Sequence, residues 1–266
     1  EKLMSDFLLV VLLALIQGLT EFLPISSSAH LVLPNLLFGT KDFGLMFDIA
    51  THAGTLLAVM FFFKNELKNI LQAWFKAPNL DDQNYFLGLL LLVATLPIIL
   101  LGLIFGEEVS ARNISIKQIA WFNLIFAIAL LIAYRIGTRS KDASQLTIWQ
   151  ALFIGSMQAF AILPGASRSG MAITGALLVG MNLTSSAKFA FLLAIPTILG
   201  SVVFLIVELL QSAQVYDYLV LFLGFTISGL VAFFTMRFFL QLVEKIGMVP
   251  FVAYRLALGV FLLLLV

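Results

Sequence analysis

Pro164-Gly165-Ala166-Ser167-Arg168-Ser169-Gly170 sets a permanently charged guanidinium among hydroxyls and pliable backbone, with no other charged residue between Asp142 and Lys188. An Arg that deep in an apolar stretch costs about 3 kcal/mol or more to insert, and it is functional unless a partner explains it. Pro164 removes a backbone donor and Gly165 frees the chain, so a broken helix is expected here. A second polar group lies near the start of the chain. Gln17 and Glu21 fall on one helix face a turn apart, just ahead of Leu23-Pro24-Ile25-Ser26-Ser27-Ser28-Ala29-His30. A carboxylate there needs a cation, either Arg168 or a metal ion. An ion pair that only pinned two parts of the chain together would leave Ser26, Ser27, Ser28, Ser167, Ser169 and His30 unaccounted for. The hard oxygens of a carboxylate and an amide suit Mg²⁺ or Ca²⁺, which bind phosphates with few protein ligands. Helices are expected to restart near Ala29 and Gly170, and a helix N-terminus offers N–H groups and a positive dipole end to an anion. An acid, a guanidinium, hydroxyls and two helix starts together describe a phosphate site.

The composition says what kind of element must hold these groups. Of 266 residues, 62% are hydrophobic and 11% charged, which leaves little room for a soluble fold and reads as a polytopic membrane protein. A net charge of +1 without a run of like charge gives nucleic acid nothing to bind. The absence of cysteine excludes disulfides, thiolate chemistry and Cys-held metal. Apolar stretches near the roughly 20 residues that cross a hydrocarbon core predict an all-α fold. Six full spans are expected near 46–63, 85–106, 117–135, 187–208, 218–237 and 250–266. Segments 5–38 and 148–182 are also apolar, but Leu-Pro and a serine-rich run interrupt each midway. Their halves are too short to cross, so both are expected to be re-entrant helical hairpins. Superposing Leu23-Pro24 on Leu163-Pro164, an offset of 140 residues, brings Gln17 within one position of Gln158. A single integral-membrane domain, 1–266, is therefore expected, with repeats at about 5–63 and 148–208. The run from Phe7 to Ile16 behind Lys2 has the outline of a signal peptide, yet no small-residue cleavage site follows it.

Loop charges set the expected orientation. Lys64, Lys68, Lys76, Arg135, Arg139, Lys141, Arg237 and Lys245 fall on one side, against Lys2, Lys41, Arg112 and Lys117 on the other. The second side also carries Glu1, Asp6, Asp42, Glu107, Glu108 and Asp217. The basic side is then cytoplasmic, both termini lie outside, and the hairpins enter from opposite leaflets, as in inverted-repeat transporters. His30 either bonds a carbonyl of its own loop or takes part in chemistry. His52, one turn after Asp48, is as readily a structural partner of Asp48 as a ligand or proton shuttle. Lys188, Arg135 and Arg237 are expected to snorkel at span ends, and Arg255 to be structural or to meet a headgroup.

Gln17-x-x-x-Glu21 and Pro164-Gly165-x-Ser167-Arg168-Ser169 resemble the two signature motifs of the undecaprenyl-diphosphate phosphatase family, the BacA type associated with bacitracin resistance. The similarity covers almost the whole chain. It includes Leu23-Pro24-x-Ser26-Ser27-x-x-His30, the span from Phe47 to Phe63, Phe191-Leu192-Leu193-Ala194-Ile195-Pro196 and Pro250-Phe251-x-x-Tyr254-Arg255. The resemblance implies a metal-dependent, multi-pass hydrolase of the bacterial plasma (inner) membrane that removes the terminal phosphate of a C55 polyprenyl diphosphate. It would thereby recycle the lipid carrier for cell-wall synthesis and confer bacitracin tolerance. Its partners would be the lipid substrate and the bilayer, and a homodimer stays open. The resemblance also implies six spans and two inverted hairpins, which the charge count reaches separately.

On the matching positions, Glu21 and Gln17 would hold Mg²⁺ or Ca²⁺ beside the diphosphate, and Glu21 would be the stronger site. Ser27 and His30 stand as nucleophile or base, with water and serine both open as attacking group. Ser167, Arg168 and Ser169 would hold phosphate oxygens, with Gln17, Ser26, Gly165, Gly170 and Thr174 completing the substrate-binding set. The chain departs from the family pattern twice. Ala172 stands where a Thr is usual, and Thr174 lies two positions on, about 200° further round a helix. Gln17 stands where many relatives carry Glu, which halves the carboxylates. The chief rival is a transporter or flippase for a phosphate-bearing polyprenyl lipid, because broken helices in inverted repeats are transporter architecture. A type-2 phosphatidic acid phosphatase mechanism fits poorly, since it wants a histidine after the Arg and none follows His52.

Overall fold

The computed structural model describes residues 2–76, 78–110, 115–209 and 217–265. Glu1, Arg112 and Val266, used in the sequence reading, lie outside the described residues, as do the side chains of Lys2, Glu107 and Glu108. Every regular element described is helical, apart from an isolated bridge between Lys141 and Met181. This is what lipid demands, because a helix satisfies its own backbone groups where no water can. Among the described residues, five helices are long and apolar enough to cross a membrane: α3 (Gly44–Phe62), α5 (Gln83–Ser110), α6 (Ile116–Ile136), α9 (Leu183–Leu209) and α10 (Tyr218–Ile246). They make the chain a multi-pass membrane protein. The last apolar helix, α11 (Val249–Leu264), has 16 residues. The amphipathic α4 (Lys64–Trp74) follows α3 directly.

Both interrupted segments are broken helices. The first comprises α1 (Lys2–Thr20) and α2 (Ser27–Phe38); the second comprises α7 (Ile148–Ala159), a short 3₁₀ turn (Phe160–Ile162) and α8 (Arg168–Leu178). The new helices start two residues before the expected positions, because Ser26 and Ser167 occupy the cap positions with left-handed backbones, φ 75° and 71°. Such a φ on a non-glycine residue costs about 1–3 kcal/mol and persists only where the surroundings enforce it. Three helix starts outside the breaks carry ordinary side-chain caps. Ser115 with Gln118 and Thr147 with Gln150 form reciprocal capping boxes, and Asp217 accepts from Leu219 and Val220.

The two halves of the chain interlock. Helices α1 and α3 pack on α10, while α7 and α9 pack on α5; α3 meets α9 at the centre, and α6 lies along α11. Each half thus lends its broken helix and first long helix to a long helix of the other. Small residues make these approaches close. A Cβ at Gly54 of α3 would run into the Phe225 carbonyl of α10, and one at Gly155 of α7 into the Ala94 carbonyl of α5. The rings of Phe22, Phe191, Phe239 and Phe251 form a chain with centroids 5.2, 5.7 and 5.2 Å apart, tying the first break to α9, α10 and α11.

Candidate active site

The C-terminal end of α1 and the N-terminal ends of α2 and α8 converge on the Glu21 carboxylate. Gln17 Nε2 and Ser27 Oγ both donate to its Oε2, at 2.8 and 2.7 Å, and an Arg168 Nη2 N–H donates to its Oε1. His52 Nε2, from α3, stands 3.9 Å from Oε2. Glu21 is 4% exposed and Gln17 fully buried, whereas the Arg168 side chain keeps 15% of its surface and so can reach an incoming group. The acid and guanidinium singled out from the sequence therefore belong to one site, although 147 residues separate them. The plain ion pair is real, and it is not isolated.

Serines on the two breaks are arranged alike. Ser26 and Ser28 hydroxyls lie 3.3 Å apart, as do those of Ser167 and Ser169. Ser169 Oγ also donates to the Leu23 carbonyl at 2.9 Å, joining the second break to the first. The matching cap serines make the repeat offset 141 rather than 140, which puts Gln17 opposite Gln158, Glu21 opposite Ile162 and Ser27 opposite Arg168. One half contributes the acid and the other the cation. The helix starts differ as well. Ser167 Oγ accepts the Gly170 N–H at 3.1 Å, while Ser26 makes no side-chain cap on α2. Thr174 is buried and gives its hydroxyl to the Gly170 carbonyl of its own helix at 2.6 Å.

Arg255 is the feature the sequence reading undervalued. Its side chain is fully buried on α11, where Nε donates to Asn123 Oδ1 at 2.9 Å, Nη2 to the Gly165 and Ala166 carbonyls at 2.9 and 3.0 Å, and Nη1 to Pro24 O at 3.5 Å. Asn123 of α6 returns a bond from Nδ2 to the Arg255 carbonyl at 2.9 Å. One guanidinium thus grips carbonyls of both breaks. Gly165 can present its carbonyl there because its φ of 91° is open to glycine, and a Cβ would lie 2.7 Å from Ile119 O. The available signal was a fully apolar neighbourhood around a charged residue, which led to the structural alternative without the partners.

Both histidines direct Nδ1 to a backbone carbonyl one turn back: His30 to Ser26 O at 2.7 Å and His52 to Asp48 O at 2.8 Å. A carbonyl only accepts, so Nδ1 carries the proton and Nε2 is the unprotonated, accepting nitrogen in each neutral ring. His30 Nε2 lies 2.6 Å from Tyr254 Oη; Ser27 is bonded to Glu21 instead. Lys188, Arg135 and Arg237 are exposed, as expected of snorkelling residues.

Among the described residues, no group of three or more His, Asp or Glu could hold a metal. The fit for a hard cation rests on fewer ligands. Gln17 Oε1 is buried without a hydrogen-bond partner beside the Glu21 carboxylate. Two such oxygens suit Mg²⁺ or Ca²⁺ that completes its shell with phosphate and water.

The sequence matches the family described as bacitracin resistance protein BacA over residues 10–261. It is 43% identical over 263 residues to the undecaprenyl-diphosphatase of Teredinibacter turnerae, an alignment covering 98% of this chain and 100% of that protein. Undecaprenyl-diphosphatase 1 of Pseudoalteromonas translucida is 44% identical over 255 residues, 94% of this chain and 95% of that one. The undecaprenyl-diphosphatase of Saccharophagus degradans is 43% identical over 262 residues, 98% of each chain.

Proposed function

This chain belongs to the family of the bacitracin resistance protein BacA, and from that premise we infer that it hydrolyses undecaprenyl diphosphate to undecaprenyl phosphate and inorganic phosphate. The product is the lipid carrier of cell-wall synthesis, and its recycling gives tolerance of bacitracin. The observation that carries the reading for this chain is the convergence of Glu21, Arg168, Ser27 and the free Gln17 Oε1 where two helix breaks meet. In this reading the chain has six spans, with α11 the sixth, and two re-entrant hairpins inserted from opposite leaflets, both termini outside.

Phosphoryl transfer asks a protein mainly for positioning and for charge to meet the charge of the transition state. The terminal phosphate lies against Arg168, with Ser26, Ser167, Ser169 and the backbone at Gly165 and Gly170 around it. The uncapped N-terminus of α2 supplies further N–H groups. Glu21 and the free Gln17 Oε1 would hold a Mg²⁺ or Ca²⁺, which would supply positive charge to the diphosphate. Ser27 Oγ, or a water in its place, bonds to the terminal phosphorus while the bridging P–O bond breaks and undecaprenyl phosphate leaves with the electron pair. Glu21, which already accepts from Ser27, would take the Ser27 proton, and His30 would take one from the water that completes hydrolysis. A groove of about 850 Å³, lined among others by Leu19, Leu23, Ile25, Phe238, Phe251 and Tyr254, supports a berth for the isoprenyl chain.

Purified protein in detergent, given C55 diphosphate, is expected to release phosphate. EDTA should stop the release, and either cation should restore it. No release by the wild-type protein would end the assignment; release indifferent to EDTA would end only the metal's part in it.

A further inference from the structure

The Pro250-Phe251-x-x-Tyr254-Arg255 run has a second half that the mechanism above does not use. Tyr254 stands beside His30, its Oη 2.6 Å from Nε2, with the two rings 12° from parallel and 5.7 Å between centroids. Because Nδ1 spends its proton on the Ser26 carbonyl, Nε2 accepts and the tyrosine hydroxyl donates. The imidazole is therefore held at both edges, one by the cap residue of the first break and the other by the Tyr254 hydroxyl. Tyr254 also forms part of the wall of the apolar groove, next to Leu23, Ile25 and Phe251. Its neighbour Arg255 fixes the backbone of α11 to both breaks, so the phenol has little freedom to drift.

We propose that Tyr254 couples His30 to the diphosphatase reaction: with Nδ1–H held by the Ser26 carbonyl, Nε2 takes the Tyr254 hydroxyl proton as Oη accepts one from the attacking water, at the junction of the lipid groove and the helix breaks. The hydroxyl and the ring have separable duties. The hydroxyl passes the proton to His30 and so belongs to the chemical step for any diphosphate, whereas the ring is groove wall and contributes only when a long isoprenyl chain lies along it. Tyr254 thereby joins tail recognition to the reacting end through one side chain. The inference rests on the functional reading above.

The test compares Tyr254→Phe and Tyr254→Leu on a C55 and a C15 prenyl diphosphate, each also in a His30→Ala background. A positioned acid–base group is worth roughly 10²–10⁴-fold, so loosening one should cost at least ~10-fold. Tyr254→Phe is expected to lower kcat by about that factor on both substrates with KM within about twofold. Tyr254→Leu should match that kcat and also raise KM for C55 but not for C15. In the His30→Ala background, Tyr254→Phe should change nothing further, since a residue that acts only through His30 has no effect without it. A kcat for Tyr254→Phe within about twofold of wild type overturns the proposal, as does full multiplication of the two effects.

A measurement free of turnover keeps the test apart from the functional reading. The chain has two histidines, so ¹⁵N imidazole spectra contain two rings. The His30 Nε2 resonance should move in Tyr254→Phe while His52 stays, and an unmoved His30 signal overturns the proposal. If His30 responds but no variant or wild type releases phosphate, the assigned reaction has failed and the catalytic part of the inference fails with it.

Discussion

Glu21 faces three hydrogen-bond donors and a histidine edge, so what it loses with each partner differs. Removing one member of a buried ion pair strands the other charge, at a cost of about 3–5 kcal/mol. Glu21→Ala and Arg168→Ala are each expected to abolish phosphate release and to lower the thermal midpoint. The double replacement Glu21→Gln with Arg168→Met restores much of the midpoint and none of the activity. If the pair were only a structural pin, that double variant would still turn over, and a phosphate-release assay beside a melting curve tells the two apart. The sequence showed Gln17, Glu21, Ser27 and Arg168 clearly, because charge and hydroxyls inside an apolar chain are conspicuous. It did not show that Ser27 would bond Glu21 rather than His30. Nothing in the spacing says which way a side chain turns at a break whose cap residue has a left-handed backbone.

Among the elements, the two breaks are the irregular parts and α11 is what holds them. Arg255 satisfies carbonyls on both and is itself held by Asn123 of α6. Replacing it with Met would leave the Gly165 and Ala166 carbonyls and Asn123 Oδ1 unpaired in a buried place, at about 1–3 kcal/mol each. Arg255→Met is therefore expected to cost several kcal/mol, read as a large fall in thermal midpoint, with activity lost at all substrate concentrations. Arg255→Lys should be intermediate, since one ammonium cannot span the same carbonyls that the planar fork does. A midpoint for Arg255→Met equal to that of wild type would remove Arg255 from this role. The Leu-Pro interruptions announced the breaks to within two residues. The clamp was hidden because its acceptors are backbone atoms, which every residue has and no sequence advertises.

At the scale of the chain, the interlocking of the two halves places the site between them, where neither half is complete. Only the first half carries an acid at the break and only the second a guanidinium, so the repeats have diverged into partners of unlike charge. That asymmetry favours a fixed catalytic centre over a cavity that presents the same groups to either side in turn. In proteoliposomes, phosphate release from C55 diphosphate is expected without translocation of the intact lipid. Movement of unhydrolysed lipid at a rate comparable to release, read with a headgroup-accessibility assay, would restore the transporter reading.

The order of apolar and polar residues was enough to make this chain an all-helical, membrane-spanning protein with two interrupted helices. Burial in lipid leaves the backbone few other solutions, and an Arg among 25 uncharged predecessors stands out in any reading. The same order named the acid, the guanidinium and the serines that meet. Long-range packing settled what local pattern does not carry: that Glu21 and Arg168 touch, that Arg255 clasps both breaks, and that Tyr254 meets His30 beside an apolar groove. Those contacts join residues 89 to 231 positions apart, and only the folded chain brings them within hydrogen-bonding distance.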